Sequence, residues 1–229
     1  MTPIVPAPWD LKGKGYMFLY KFPEKIKNHK FSKTDFLEDA HPKGFGTVML
    51  VNYHESTAGP YYELLFIPGR FNYENKKYYS ITKIYVSSQS SVENGQRNWG
   101  IPKEIADFSF EKIDKKREKI IISKDGTIFF EAVISKRGFR FPITTKIFPL
   151  PLIQRFENTI MFTQFNGRGW GTHAKIESMK INDKLFPDIS SVKPLTVKKI
   201  DKFNIEFPVA ETKGCLGDAK LKDNECIEV

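Results

Sequence analysis

Metal-ligating side chains are scarce in this chain. There are two cysteines, Cys215 and Cys226, and four histidines, His29, His41, His54 and His173. The cysteines stand near the C-terminus with no histidine beside them, and the histidines are scattered. No zinc-type spacing results, so no metal site is expected. So few cysteines suit a reducing, cytoplasmic setting, with a disulfide between the two left open. No run of about 18 apolar residues occurs, which excludes a membrane-spanning helix. Met1 to Trp9 carries three prolines and no apolar stretch, so no secretory leader is expected. A glycine-rich loop leading from a strand into a helix is missing, and with it the usual cradle for nucleotide phosphates. Repeats, linkers and breaks in composition are also missing.

What is present points to β-structure. Hydrophobic residues make up 40% of the 229 positions, enough for a core, and 20 Phe, 9 Tyr and 3 Trp favour strands over helices. Lysine and arginine number 36 against 27 acidic residues, a net charge of +9. These basic residues are spread along the chain rather than gathered in a stripe or tail. They read as a solvated surface, not a nucleic-acid footprint. A small anionic substrate can still use a local positive field.

Short aromatic and β-branched runs recur between turn formers. They fall at Gly13–Phe22, Gly46–Tyr53, Tyr61–Ile67, Tyr78–Val86, Ala106–Lys112, Lys119–Ser123, Thr127–Ser135 and Phe141–Phe148. Asp125-Gly126 between two of them signals a hairpin. A second hairpin with a glycine-rich tip is expected over Thr159–Phe165, Gly167–Gly171 and Thr172–Ile181. Val192–Lys199 and Lys202–Pro208 close the domain. Helix is expected only at one turn around Thr34–Asp39 and over Ser87–Arg97, with Ser90 or Ser91 as cap and Gly95 as stop. The pattern predicts a mainly β, single-domain antiparallel β-barrel or double sheet over residues 1–209, followed by a polar tail, 210–229.

One stretch carries chemistry. Gly95-Gln96-Arg97-Asn98-Trp99-Gly100-Ile101-Pro102-Lys103 places a lysine directly after a proline, between β-like runs. A lysine after proline is ordinarily a solvated charge. If the fold strips water from it, it becomes a nucleophile. Glu63 stands in a run as apolar as Leu64-Leu65-Phe66-Ile67, and if it points inward it needs a partner.

This stretch resembles the acetoacetate decarboxylase superfamily, in which the lysine after the proline forms a Schiff base with the substrate ketone. Pro8-Trp9-Asp10-Leu11-Lys12-Gly13-Lys14-Gly15-Tyr16 and Gly59-Pro60-Tyr61-Tyr62-Glu63-Leu64-Leu65-Phe66-Ile67-Pro68-Gly69 are similar to further segments of that family. The resemblance covers residues 8 to 209. It implies a lyase acting on a small oxo acid, without cofactor, metal, nucleic acid or membrane, and it implies a homo-oligomer. Lys103 and Glu63 take the catalytic positions, with Arg97, Trp99 and Lys14 as substrate contacts. Lys14 or Lys12 falls where the family has an arginine. The family's upstream acid falls near Thr47 or Val48, where there is no acid. Its second lysine, directly after the first, is Glu104 here. A carboxylate at that place raises the ammonium pKa if it faces Lys103 and has little effect if it faces away. Decarboxylation is the leading expectation. The departures keep open an aldolase or dehydratase acting on another oxo acid, or a non-catalytic small-ligand barrel.

Overall fold

The computed structural model of the chain describes residues 2–37, 41–147 and 149–214. In chain order its elements are β1 (Trp9–Tyr20), α1 (Glu24–Lys27), β2 (Gly46–Ser56), β3 (Tyr61–Ile67), β4 (Arg70–Tyr73), β5 (Lys76–Tyr79), β6 (Lys83–Val86), α2 (Gln89–Trp99), β7 (Lys103–Ile105) and β8 (Asp107–Lys112). They continue with β9 (Arg117–Lys124), β10 (Thr127–Thr144), β11 (Leu152–Phe156), β12 (Thr159–Thr163), β13 (Asn166–Ile181), β14 (Thr196–Phe207) and β15 (Glu211–Gly214). Ten strands form one sheet in the order β7-β6-β3-β2-β1-β14-β13-β10-β9-β8. A second sheet runs β15-β12-β11-β5-β4. No helix among the described residues is long and apolar enough to cross a membrane.

The large sheet curls until its two edges nearly meet. Tyr85 on β6 packs against Phe129 on β10 with ring centroids 4.6 Å apart, and Tyr62 on β3 stacks on Phe110 of β8 at 4.9 Å. The interior so enclosed holds Phe18, Leu50, Leu64, Phe66, Tyr85 and Phe130. A second core lies on the opposite face of the same strands, and it includes Trp9, Val51, Tyr61, Leu65, Ile84 and Trp99. Successive residues of a strand point to opposite faces. Because β3 is covered on both, its apolar residues run without a break instead of alternating with polar ones. The polar exception on β3 is Glu63, which is buried with the second core.

Several local expectations shift. Tyr78–Val86 is divided between β5, in the small sheet, and β6, in the large one. Asp125 and Gly126 both take positive φ, 50° and 75°, as a two-residue hairpin turn requires. The glycine-rich Gly167–Gly171 segment is not a hairpin tip. It lies inside β13, between β10 and β14, where a Cβ on Gly169 would meet Lys202 O at 2.5 Å. Close backbone approach, rather than a turn, accounts for that glycine. The early helical turn is α1, ahead of the expected place, and Thr34–Asp39 runs partly outside the described residues. Strand β15 pairs with β12 beyond residue 209, while Cys215 and Cys226 lie outside the described residues.

Candidate active site

Helix α2 and strand β7 set the position of Lys103. The Ser88 hydroxyl caps the helix by accepting from the Ser91 N–H at 3.4 Å. The helix runs through Gly95, the expected stop, and ends at Gly100, which adopts the left-handed conformation (φ 65°). A Cβ there would lie 2.8 Å from the Arg155 backbone, so glycine serves both the turn and the close approach. Ile101-Pro102 then leads into β7, which pairs parallel with β6 so that Lys103 lies beside Ile84. Gln96 Nε2 donates to Lys103 O at 3.0 Å and ties the two elements together. Since Glu63 pairs with Val86, Ile84, Val86, Glu63 and Lys103 all face the second core.

The lysine and the glutamate meet there. Lys103 Nζ lies 3.3 Å from Glu63 Oε2, and both side chains are about 5% exposed or less. The amine donates to Ser91 Oγ at 2.9 Å. The Tyr53 hydroxyl donates to Glu63 Oε1 at 3.2 Å. The Tyr61 ring centroid is 5.0 Å from Nζ and that of Trp9 is 5.8 Å away. Helix α2 comes so close that a Cβ on Gly95 would lie 2.8 Å from Lys103 Cδ and 2.9 Å from Cε. Among the described residues in contact with Nζ there is no second cation.

The electrostatics follow from burial. Desolvation lowers the Lys103 ammonium below its usual pKa, and Glu63 opposes this without reversing it. The Tyr53 and Tyr61 phenols are pushed well above their ordinary range, first by burial and then by the Glu63 charge. Both therefore remain neutral and hold their protons beside the carboxylate. The amine thus sits among a carboxylate, a serine hydroxyl, two neutral phenols and an indole.

Glu104 takes the opposite face. It accepts from Lys83 on β6 and from Lys124 on β9, so one carboxylate bridges the two edges of the curled sheet. Half-burial pushes the Glu104 carboxyl up, but the two ammonium groups outweigh it and hold the group below the usual range. The neighbour of Lys103 in sequence is therefore a clasp on the barrel seam, directed away from the amine. Lys83 is itself nearly buried, and it lies over the Phe31 and Tyr85 rings at 4.6 and 4.5 Å.

The expected substrate contacts are less concentrated. Trp99 is buried and packs edge-on against Trp9 at 4.8 Å, one layer behind the amine, with its Nε1 donating to Pro208 O at 2.7 Å. Arg97 is exposed on the outer side of α2. Lys14 is exposed as well and shares the face of Tyr16, on the barrel side near Glu118, so it does not join Lys103. Val48 packs in the barrel, while Thr47, opposite Ile67 on the face of the second core, donates to Phe18 O, so no acid stands at either place. Tyr53, Tyr61, Ser91, Gly95 and Trp9 complete the candidate site, and sequence assigns none of them a role there. Tyr61 carried one usable signal, since it precedes Glu63 by two on a strand and so shares its face.

A cavity of about 490 Å³ opens beside Pro102, lined in part by Lys33, Thr34, Ile81, Thr82 and Arg155. Lys103 and Glu63 do not line it, nor a second cavity of about 690 Å³ around Arg117 and Arg137.

Residues 35–143, which contain both Glu63 and Lys103, match the sequence profile of the acetoacetate decarboxylase (ADC) family. Over that stretch, a little under half of the chain, the sequence is similar to the acetoacetate decarboxylase family. No curated protein matches the sequence. Among solved structures, acetoacetate decarboxylase from Legionella pneumophila is similar with a TM-score of 0.65 and 12% identity, covering 90% of this chain and 87% of that one. The enduracididine biosynthesis enzyme MppR, in complex with pyruvate, gives 0.62 at 14% identity, covering 91% of each chain. An acetoacetate decarboxylase-like enzyme from Sphingomonas wittichii RW1 gives 0.61 at 12%, covering 92% of this chain and 94% of that one. At these identities the likeness is one of fold.

Proposed function

We propose that the protein is a lyase that decarboxylates a small β-keto acid through a Schiff base on Lys103. The observation that carries this reading is the buried Lys103 amine, 3.3 Å from Glu63 and walled by aromatic rings. Burial favours the neutral amine, the nucleophilic form. The amine attacks the ketone carbon, and the carbonyl oxygen takes up a proton and leaves as water, giving an iminium ion. Glu63, held by Tyr53, is placed to take the proton that Nζ loses and to return it to the departing oxygen. The C–C bond to the carboxylate then breaks and its electron pair passes into the iminium nitrogen. Carbon dioxide leaves, and the enamine is protonated and hydrolysed to the ketone and free Lys103.

The same surroundings favour loss of the carboxylate over its retention. A substrate carboxylate beside Glu63 in an apolar enclosure meets a like charge and no second cation among the groups around Nζ. That repulsion is relieved as the charge is carried away by electron flow into the iminium. Acetoacetate decarboxylase is itself the standard example of a lysine activated by desolvation and a neighbouring cation. In this chain burial acts without the neighbouring cation, because Glu104 faces the seam.

A second reading is aldol-type condensation through the same enamine. It is favoured by the likeness to MppR, whose structure has also been determined with the condensation product of pyruvate and imidazole 4-carboxaldehyde. One experiment separates the readings. The protein is incubated with acetoacetate or pyruvate, reduced with borohydride and weighed intact. With acetoacetate, an adduct that has lost carbon dioxide supports decarboxylation; with pyruvate, whose carboxylate cannot leave into the iminium, an adduct enlarged by an added aldehyde supports the second reading. No adduct with any of a panel of oxo acids refutes both and leaves a non-catalytic pocket. Lys103→Ala abolishes either adduct.

A further inference from the structure

The geometry points to a second ligand site, built to hold a phosphate group, at the bulge between β10 and β13. The pairing of these strands shifts register there: Arg137 pairs with His173 and Phe141 with Gly171, so Gly138, Phe139 and Arg140 face only Thr172. Gly138 takes φ 71°, which lets the strand turn outward. Bulges of this kind re-aim side chains at the rims of barrels and next to sites. A cavity of about 690 Å³ lies against this bulge, a size usual for small-ligand sites.

Its lining asks for an anion. Ser135 and Thr172 line the cavity and are more than nine-tenths buried, and neither hydroxyl has a hydrogen-bond partner among the described residues. Buried hydroxyls without partners are uncommon and call for an explanation such as a missing ligand or ion. Lys116, Arg117, Lys136 and Arg137 line the same space against two carboxylates, Asp114 and Glu177. Arg117 occupies both acids, with Nε 2.7 Å from Asp114 Oδ2 and NH1 3.9 Å from Glu177 Oε2. Lys116, Lys136 and Arg137 form no ion pair among the described residues. Three uncommitted cations and two uncommitted hydroxyls converge on one cavity. A phosphate group, with three terminal oxygens and up to two negative charges, can engage more of these donors at once than a carboxylate can. None of the residues involved touches Lys103, so the site stands apart from the Schiff-base chemistry.

Calorimetric titration of the full chain with inorganic phosphate in a chloride buffer tests the proposal, with sulfate and chloride compared at equal ionic strength. The expected result is saturable binding of one phosphate per chain. It should be weakened about ten-fold or more, roughly 1.4 kcal/mol, by Arg137→Glu and by Ser135→Ala with Thr172→Val. Circular dichroism checks that each variant is folded. If the hydroxyl variant does not fold, the anion comparison on the wild-type protein decides. A preference for phosphate over chloride at fixed ionic strength supports a built site. Absence of saturable binding, or binding that follows ionic strength alone and is unchanged by Arg137→Glu, overturns the proposal. Borohydride trapping at Lys103 serves as the control that Arg137→Glu should leave unchanged.

Discussion

Gly95→Ala tests how tightly helix α2 holds the Lys103 side chain. Two effects of known sign oppose each other. In a helix interior, alanine is favoured over glycine by about 0.8–1.0 kcal/mol. Here the new methyl would lie 2.8 Å from Lys103 Cδ and 2.9 Å from Cε, well inside contact distance, around a side chain that is 4% exposed and has little room to retreat. Overpacking of a filled interior costs about 1–3 kcal/mol. The substitution should therefore destabilise the wild-type protein by about 0–2 kcal/mol, despite the better helix former. In a Lys103→Ala background the obstructing methylenes are gone, and the same substitution should stabilise by up to about 1 kcal/mol. The coupling between the two sites is then about 1–3 kcal/mol, within the range of residues in contact. Urea unfolding of the four proteins, extrapolated linearly to water, measures it. An effect of equal sign and size in both backgrounds would refute the packing of Lys103 against Gly95.

Other consequences can be measured in the same way. Because burial lowers the Lys103 pKa, the unfolded chain binds more protons than the native one between the native value and about 10.4. Stability should therefore rise with pH across that window, by at most about 1.4 kcal/mol per unit, and Lys103→Met should remove this rise. Tyr53→Phe takes one donor from the buried Glu63 carboxylate and should cost about 1.5–3 kcal/mol in chemical denaturation. Glu104→Gln releases the clasp between β6 and β9. With Glu104 partly exposed, the cost should be near 1 kcal/mol, and adduct formation at Lys103 should be unaffected.

Lys103 and Glu63 could be marked as candidates from sequence because each stands in a stretch that resembles the family, a lysine after proline and an acid in an apolar run. The direction of Glu104 was also within reach. Adjacent residues of a strand face opposite ways, so one of Lys103 and Glu104 had to turn from the site. Which one turned depends on β7 pairing with β6, a contact that bridges α2 and leaves no trace in periodicity. Tyr53, Trp9 and the α2 pair Ser91 and Gly95 come from three separate segments that meet only in the fold. Gly95 was misread for a physical reason. A glycine near a helix end suggests a cap, whereas here it clears space for Lys103 and the left-handed cap falls at Gly100. Lys14 was placed by its position before an aromatic strand, but on β1 it shares the face of Tyr16 and Phe18 toward the barrel interior, whereas Trp9 and Leu11 on the other face join the second core. The division of Tyr78–Val86 between two sheets escaped notice because its apolar alternation continues across the break.

The claim on which all this rests is that burial outweighs Glu63 and leaves Lys103 with a weakened hold on its proton. NMR titration of protein carrying lysine labelled with nitrogen-15 at Nζ, with the Lys103 signal assigned by its loss in Lys103→Met, measures that directly. The midpoint is expected below the ordinary lysine value of about 10.4. A midpoint at or above it would show that the ion pair with Glu63 wins over desolvation, and would contradict an amine poised for Schiff-base formation.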